Sequence, residues 1–210
     1  IYETALKDWS DIDPSIMGTL FERGLDPSKQ SQLGAHYTDR DMIMKIINPV
    51  IVEPLSREWE EVKGKINDEL AKAETYNETT KKSAENKTKA LNRAKKAYNS
   101  FKTNLQSFKV LDPACGSGNF LYLSLKGLKD IEQQVNIYGE MTFRYTQSIP
   151  EIGPENIHGI EINPYAVELA RVSVWIGEIQ WIKKHGFTVP DKPVLRELEN
   201  IICHDALINE

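Results

Sequence analysis

Residues 112–120 read Asp-Pro-Ala-Cys-Gly-Ser-Gly-Asn-Phe, and this glycine-rich stretch decides the fold. It follows a mostly apolar run at residues 108–111 and leads into the apolar residues 121–125. Such a pattern is typical of a turn between a buried strand and a helix. Glycines at the turn let the backbone approach a ligand closely, and the N–H groups at the start of the helix can bind that ligand. The stretch therefore predicts a ligand-binding loop.

The residues around the two glycines exclude two common nucleotide-binding loops. A P-loop requires Gly-Lys-Ser/Thr, whereas Gly118 is followed by Asn119 and Phe120. A dinucleotide-binding loop requires a third glycine, where this chain has Leu121. The carboxylate of Asp112 would also repel a phosphate, at a cost of about 4 kcal/mol for charges ~4 Å apart at an effective dielectric of about 20. We therefore expect a ligand without phosphates.

Two later segments place further carboxylates at the ends of strands. Residues 157–161 form a short, mostly apolar run that ends in Glu161, and residues 200–204 predict a third strand followed by Asp205. Because the carboxyl ends of parallel strands meet at one edge of a sheet, we expect Asp112, Glu161 and Asp205 to line one crevice. Glu161 is placed to accept hydrogen bonds from a ribose diol. Asp205 either binds an adenine amino group or caps the next turn.

These motifs resemble those of S-adenosylmethionine-dependent DNA methyltransferases, in particular the class that modifies adenine N6. The resemblance covers most of the chain except the helical arm at residues 57–107, and it is strongest to the methyltransferase portion of large single-chain type II restriction–modification enzymes. Residues 33–38, Leu-Gly-Ala-His-Tyr-Thr, resemble the segment that closes over the methionine end of the cofactor in that family. The resemblance implies that S-adenosylmethionine is bound by Tyr37, Thr38, Asp112, Ala114, Cys115, Gly116, Gly118, Asn119, Phe120, Glu161, Ile162, Asp205 and Ala206.

The same resemblance implies an α/β fold with a partial Rossmann-like methyltransferase sheet of about three parallel strands. The helical spacing of apolar residues before the glycine-rich stretch adds N-terminal helices and a long helical hairpin insertion. The first strand is expected at an edge of the sheet. We assign residues 1–56 to an N-terminal helical segment, residues 57–107 to the hairpin arm and residues 108–210 to an incomplete cofactor-binding domain. Residues 135–155 contain two glycines and two prolines, so we expect a surface loop there.

One motif of the family does not occur in this chain. The catalytic Asn/Asp/Ser-Pro-Pro-aromatic motif holds the flipped base in that family, and it requires adjacent prolines. No two of the 10 prolines are adjacent, so no catalytic residue is assigned. We expect the motif beyond Glu210, and we expect a chain that begins at Ile1 to be an excised part that binds the methyl donor without transferring it.

The resemblance implies that the full-length protein is an enzyme that methylates adenine N6 in double-stranded DNA, within a restriction–modification system. Two alternatives remain open. The first is a methyltransferase that acts on RNA or a small molecule. The second is a module that binds S-adenosylmethionine or a partner without catalysis.

Composition supports a globular protein, with 40% hydrophobic and 27% charged residues. The two cysteines and four histidines show no metal-ligand spacing, so we expect no metal site. No run approaches the ~18 apolar residues of a membrane span, and neither a membrane partner nor a signal peptide is expected. Two cysteines without a disulfide framework predict a cytoplasmic location.

Positive charge is concentrated in residues 81–109, which contain nine basic residues and one acid, a net charge of +8 in a chain of net charge −5. Apolar residues recur at helical spacing before and after residues 76–80. This pattern predicts two antiparallel helices with a turn near residues 77–83. The lysines either keep an exposed hairpin soluble or contact DNA phosphates, and the sequence leaves both possibilities open.

Overall fold

The structure is a computed structural model, and it describes residues 13, 14, 16, 39–76, 79–146, 150–188 and 197–208. In chain order these residues form α1 (Arg40–Ile47), a π-helical turn (Asn48–Val52), α2 (Glu53–Thr75), α3 (Lys81–Gln106), β1 (Val110–Asp112), α4 (Asn119–Phe143), a 3₁₀ turn (Pro154–Asn156), β2 (Ile157–Glu161), α5 (Pro164–Lys184) and β3 (Ile201–Cys203). No helix in the described part of the chain is long and apolar enough to cross a membrane.

The chain divides into two compact units. Unit 1 comprises Ile1–Ile47, Lys109–Gly127 and Gly153–Glu210. Unit 2 comprises Asn48–Phe108 and Leu128–Ile152. Helix α4 begins in unit 1 and ends in unit 2.

Unit 1 contains a three-stranded parallel sheet among its described residues, in the order β1-β2-β3. The prediction of a partial Rossmann-like sheet with the first strand at an edge is therefore confirmed. The opposite edge strand, β3, is protected by Arg171 of α5, whose Nη2 and Nε donate hydrogen bonds to Ile201 O at 2.8 and 3.2 Å. Because Arg171 occupies the Ile201 carbonyl, a strand from another molecule cannot pair with it, which limits edge-to-edge association of sheets.

Unit 2 contains the helical hairpin that the sequence predicts. Helices α2 and α3 run antiparallel. Glu69, late in α2, pairs with Arg93 in the middle of α3 at 2.6 Å, and Trp59, early in α2, stacks on Phe101 late in α3 with ring centroids 5.0 Å apart. Helix α3 begins after Thr80, whose side chain accepts a hydrogen bond from the backbone of its first turn. The hairpin insertion is thus confirmed.

The prediction of a loop over residues 135–155 is wrong for its first part, because α4 continues to Phe143. Val135 is fully buried, and Tyr138 packs edge-on against Trp59 with ring centroids 5.2 Å apart. Gly139 does not end the helix, because its missing side chain leaves the space that the Tyr98 ring occupies. From the sequence this glycine was expected to break the helix, whereas in the structure it lets the Tyr98 ring pack closely against α4.

Two buried charged residues of α4 hold the backbone that follows. Glu132 is 0% exposed, and its oxygens accept hydrogen bonds from Glu151 N at 3.0 Å and Ile152 N at 2.8 Å. Lys129 is 1% exposed, and its Nζ donates to Ile152 O at 2.9 Å. Buried charges persist in proteins when their hydrogen bonds are satisfied in this way. The return of the chain toward β2 is therefore anchored within unit 2.

Candidate functional site

The glycine-rich loop between β1 and α4 has a backbone that only glycine adopts readily. Gly116 and Gly118 have φ angles of +52° and +87°, in the left-handed region. A Cβ at position 118 would also lie 2.8 Å from Ala170 Cα on α5. The second glycine therefore serves both the turn and the close packing of the loop against α5.

The carboxylate of Glu161 braces this loop from the end of β2. Its Oε2 accepts a hydrogen bond from Gly116 N at 2.9 Å, and its Oε1 accepts one from Asn163 N at 2.8 Å. Cys115 N donates to Ile160 O at 3.0 Å, which extends the pairing of β1 and β2 into the loop. Each carboxylate oxygen has a second lone pair, so Glu161 can still accept hydrogen bonds from a ligand.

Asp112, the last residue of β1, lies close to Glu161 and opposite Gly159 in the sheet. Its Oδ1 accepts a hydrogen bond from Ala114 N at 3.1 Å. Burial raises the pKa of Asp112, and the nearby Glu161 raises it further, while the Ala114 N–H lowers it. The site therefore contains two neighbouring carboxyl groups, and that of Asp112 is hard to ionise. Such a site favours a cationic or neutral ligand over an anion.

The Cys115 side chain belongs to the packing of the loop. It is 5% exposed, and burial raises its pKa to about 12. A Cβ at position 159 would lie 2.8 Å from both Cys115 Sγ and Leu121 Cδ1, so Gly159 leaves room for both side chains beneath the loop. Cys115 therefore contributes its backbone, rather than an ionised thiol, to the site.

Asn119 stands at the first position of α4, and only 9% of its surface is exposed. Among the described residues its Oδ1 has no hydrogen-bond partner. An unsatisfied buried acceptor costs about 1–3 kcal/mol, a cost that a ligand N–H or O–H would remove. The side chain thus marks this helix end as a place where a polar group can bind.

The end of β3 lies at the same sheet edge as the ends of β1 and β2. Cys203 is opposite Glu161, and His204 N donates to Glu161 O at 3.0 Å. Asp205 follows, and its Oδ1 accepts a hydrogen bond from Leu207 N at 2.9 Å, so it caps the next turn. Ile162 is exposed beyond β2, with 61% of its surface accessible.

The structure thus brings together the strand ends that carry the three predicted carboxylates. Ala114 and Ala206 are exposed in their respective turns, and Phe120 is half-buried in the first turn of α4. Tyr37 and Thr38 lie outside the described residues. In the described part of the chain no group of three or more His, Cys, Asp or Glu side chains could hold a metal ion.

Sequence reasoning missed the brace between Glu161 and the loop. The signal was present, because a turn with two left-handed glycines leaves N–H groups that helices and strands do not satisfy. A carboxylate at the end of the adjacent strand is a natural acceptor for them. Glu161 therefore combines a structural role with the ligand-binding role that its position suggests.

Comparison with known proteins decides the family. Residues 82–210, well over half of the chain, match the family model described as MmeI, DNA-methyltransferase domain. The chain belongs to this family. The resemblance to DNA methyltransferases that the motifs of residues 112–206 indicate is therefore confirmed.

Two similar proteins agree with this assignment. The chain is 28% identical over 212 residues to DNA methyltransferase A of Bacillus subtilis (strain 168), a match that covers 96% of this chain and 20% of that protein. It is 30% identical over 214 residues to a putative type II restriction enzyme and methyltransferase, RM.MjaORFECS2P, of Methanocaldococcus jannaschii, covering 94% of this chain and 17% of that protein.

A solved structure has the same fold as this chain. The type IIL restriction–modification enzyme MmeI, determined in complex with DNA, superposes with a TM-score of 0.71 and 27% sequence identity. The match covers 95% of this chain and 24% of the MmeI chain. This chain therefore spans a quarter or less of the length of the relatives it matches.

Proposed function

We propose that this chain is the cofactor-binding part of an enzyme that transfers a methyl group from S-adenosylmethionine to adenine N6 in DNA, within a restriction–modification system. The observation that carries the proposal is the hydrogen bond from Gly116 N to Glu161 Oε2 at 2.9 Å in a chain of the MmeI family. It joins the glycine loop to the strand-end acid that would hold a ribose. The sheet edge where they meet is the usual ligand site of parallel sheets.

The residues at this edge fit S-adenosylmethionine in charge and in hydrogen-bonding capacity. The cofactor carries a positive sulfonium, a ribose and an adenine but no phosphate, which suits the two carboxylates of Asp112 and Glu161. Glu161 has lone pairs left for the ribose hydroxyls, and the unpartnered Asn119 Oδ1 offers one more acceptor. When bound, the cofactor supplies an activated methyl group for transfer.

The remaining contacts in the proposal come from the edges of the site. Ile162, Asp205 and Ala206 would contact the adenine, with Asp205 accepting from its amino group in addition to capping its turn. Tyr37 and Thr38 would close over the methionine end. The backbone of residues 114–120 would surround the centre of the cofactor, because its glycines and helix N–H groups allow close approach.

DNA as the substrate is supported by the relatives. Two are named as a DNA methyltransferase and as a restriction enzyme and methyltransferase, and MmeI was solved with DNA. A cytoplasmic location is part of the same proposal. We further propose that the 210 residues alone bind the donor without methylating DNA, since none of their 10 prolines is followed by a second proline.

Isothermal titration calorimetry with S-adenosylhomocysteine tests the cofactor proposal. We expect binding with one site per chain, and no detectable binding of ATP or NAD⁺ at the same concentrations, because Asp112 and Glu161 repel phosphates. Failure to bind S-adenosylhomocysteine, or tighter binding of either phosphate-containing nucleotide, would remove the proposed site.

A methylation assay tests the second part of the proposal. The 210-residue chain, incubated with duplex DNA and S-adenosylmethionine labelled at the methyl group, should transfer no label to the DNA. A protein that contains the chain together with an Asn-Pro-Pro-aromatic motif should label adenine at N6. Turnover by the 210 residues alone would show that the catalytic group lies among them, and labelling of cytosine would correct the target base.

A further inference from the structure

The two helices of the hairpin in unit 2 differ sharply in charge. Helix α2 carries seven acidic and four basic residues, a net charge of −3. Helix α3 carries eight basic residues and one acid, a net charge of +7, and it has no acid after Glu85. A hairpin that needed charge only for solubility would gain more from mixed charges on both helices. The positive charge on α3 therefore calls for a separate explanation.

Three of the eight basic residues of α3, Lys89, Lys95 and Lys96, lie on one exposed face of the helix. The opposite face is buried in the hairpin through alternating small and large apolar residues such as Ala94, Tyr98 and Phe101. The outer face, which we call the lysine face, consists of exposed polar side chains at helical spacing: Lys89, Asn92, Lys95, Lys96, Asn99, Ser100, Thr103 and Asn104. Most of these side chains surround an open depression of about 530 Å³.

The lysines of this face are not neutralised by neighbouring carboxylates. On α2, Lys63 and Lys72 each form an ion pair one turn away, with Glu60 at 2.6 Å and with Glu69 at 2.7 Å. No described carboxylate lies within ion-pair distance of Lys89, Lys95 or Lys96. Their charge is thus available to an anionic partner.

We propose that the lysine face binds the sugar-phosphate backbone of double-stranded DNA. Lysine, asparagine, serine and threonine side chains are the common donors to DNA phosphates. At 1.5 Å per residue the face is about 22 Å long, which spans about six phosphates of one strand when measured along the duplex axis, at about 3.4 Å of axis per phosphate. The face carries no aromatic side chain on which unpaired bases could stack. It therefore fits a duplex backbone and does not read base sequence.

The inference rests on the proposed function, because DNA is the expected substrate only if that function holds. Binding of a fluorescent 30-base-pair duplex of arbitrary sequence is measured by anisotropy over a series of KCl concentrations. The slope of log K against log [KCl] is negative, and each lost phosphate contact makes it less steep by about 0.9. We expect the triple variant Lys89→Gln, Lys95→Gln, Lys96→Gln to make that slope less steep by about 2 to 3.

A matched control separates local contact from overall charge. The triple variant Lys63→Gln, Lys65→Gln, Lys72→Gln on α2 removes the same net charge, and we expect its slope to change by less than about 0.5. Equal changes in both triple variants would show a general charge effect and overturn the inference. Unchanged slopes in both, or no binding of duplex DNA by the unaltered protein, would also overturn it.

The same variants are titrated with S-adenosylhomocysteine, which we expect to bind them as it binds the unaltered protein. If DNA binding does not depend on the lysine face while S-adenosylhomocysteine still binds, the inference fails and the cofactor proposal stands. If S-adenosylhomocysteine does not bind while the salt slope becomes less steep in the lysine-face variant as expected, the cofactor proposal fails and the DNA-binding role of the lysine face stands. The two conclusions therefore fail separately.

Discussion

Replacing Glu161 tests both roles that the structure gives to this residue. Its two oxygens accept hydrogen bonds from Gly116 N at 2.9 Å and from Asn163 N at 2.8 Å. Hydrogen bonds to a charged group contribute about 1.5–3 kcal/mol each to stability. Glu161→Gln keeps one acceptor oxygen but turns an –NH₂ group toward the other N–H. We therefore expect it to lower the free energy of unfolding of the ligand-free protein by about 1.5–3 kcal/mol.

The alanine variant removes both hydrogen bonds. Glu161→Ala lets water reach the two N–H groups in a half-buried site, so its loss of stability should lie between one such contribution and two, about 2–5 kcal/mol. Urea unfolding of the unaltered protein and both variants, without ligand, measures these values. If Glu161→Gln unfolds at the same urea concentration as the unaltered protein, the brace does not stabilise the loop.

Ligand binding isolates the second role. A lost charge-assisted hydrogen bond to the ribose should weaken S-adenosylhomocysteine binding by at least about tenfold, or ~1.4 kcal/mol, in both variants. Titrations at a temperature where each variant is folded keep the loss of stability out of the measured affinity. Unchanged affinity in Glu161→Ala would remove this residue from the ligand site even if the stability effect is found.

Three further predictions concern the packing and titration of the loop. Gly159→Ala should destabilise the protein by about 1–3 kcal/mol in urea unfolding, because the added Cβ would overlap Cys115 and Leu121. Gly64→Ala on α2, where nothing lies within 4 Å of the added Cβ, should stabilise the protein by about 0.5–1 kcal/mol. If both variants change the free energy of unfolding in the same direction, the packing argument is refuted. The pKa of Asp112 is raised in the folded protein, so ionising this carboxyl group costs stability. Asp112→Asn avoids that cost and should be more stable than the unaltered protein at neutral pH. The difference in free energy of unfolding should vanish below the ordinary aspartate pKa and grow as the pH rises through the raised pKa. An advantage that grows toward acid would contradict this sign. In the native protein at pH 8 a disulfide reagent should modify the exposed cysteine alone, since burial raises the pKa of Cys115 to about 12; rapid reaction of both thiols would contradict the burial.

The parts of the fold that follow from local pattern could be predicted. The limits of β2 at residues 157–161 agree with the apolar run that ends in an acid. The glycine spacing indicated a ligand loop, and the positive φ angles of Gly116 and Gly118 supply its geometry. Parallel strand order then brings the ends that carry Asp112 and Asp205 to one sheet edge. The strand and the loop depend on residues near one another in the chain, and the general rule that parallel strands share one carboxyl edge then brings the distant acids together.

Features that depend on distant partners could not be predicted. The length of α4 depends on how Gly139 and Tyr138 pack on the hairpin, and the sequence pattern treats that glycine as a breaker. The donors to the Glu132 carboxylate are the backbone N–H groups of residues 19 and 20 positions away, which no periodicity encodes. The brace from Glu161 to Gly116 spans 45 residues, and only the folded sheet brings the two together.

The most direct test of the central claim is to find which residues become protected when the ligand binds. Hydrogen–deuterium exchange of the chain is compared with and without saturating S-adenosylhomocysteine. We expect slower exchange in peptides that cover residues 112–120 and 157–163, because the ligand holds the loop and the Glu161 brace closed. Slower exchange confined to peptides of residues 53–106, with the glycine loop unchanged, would contradict it.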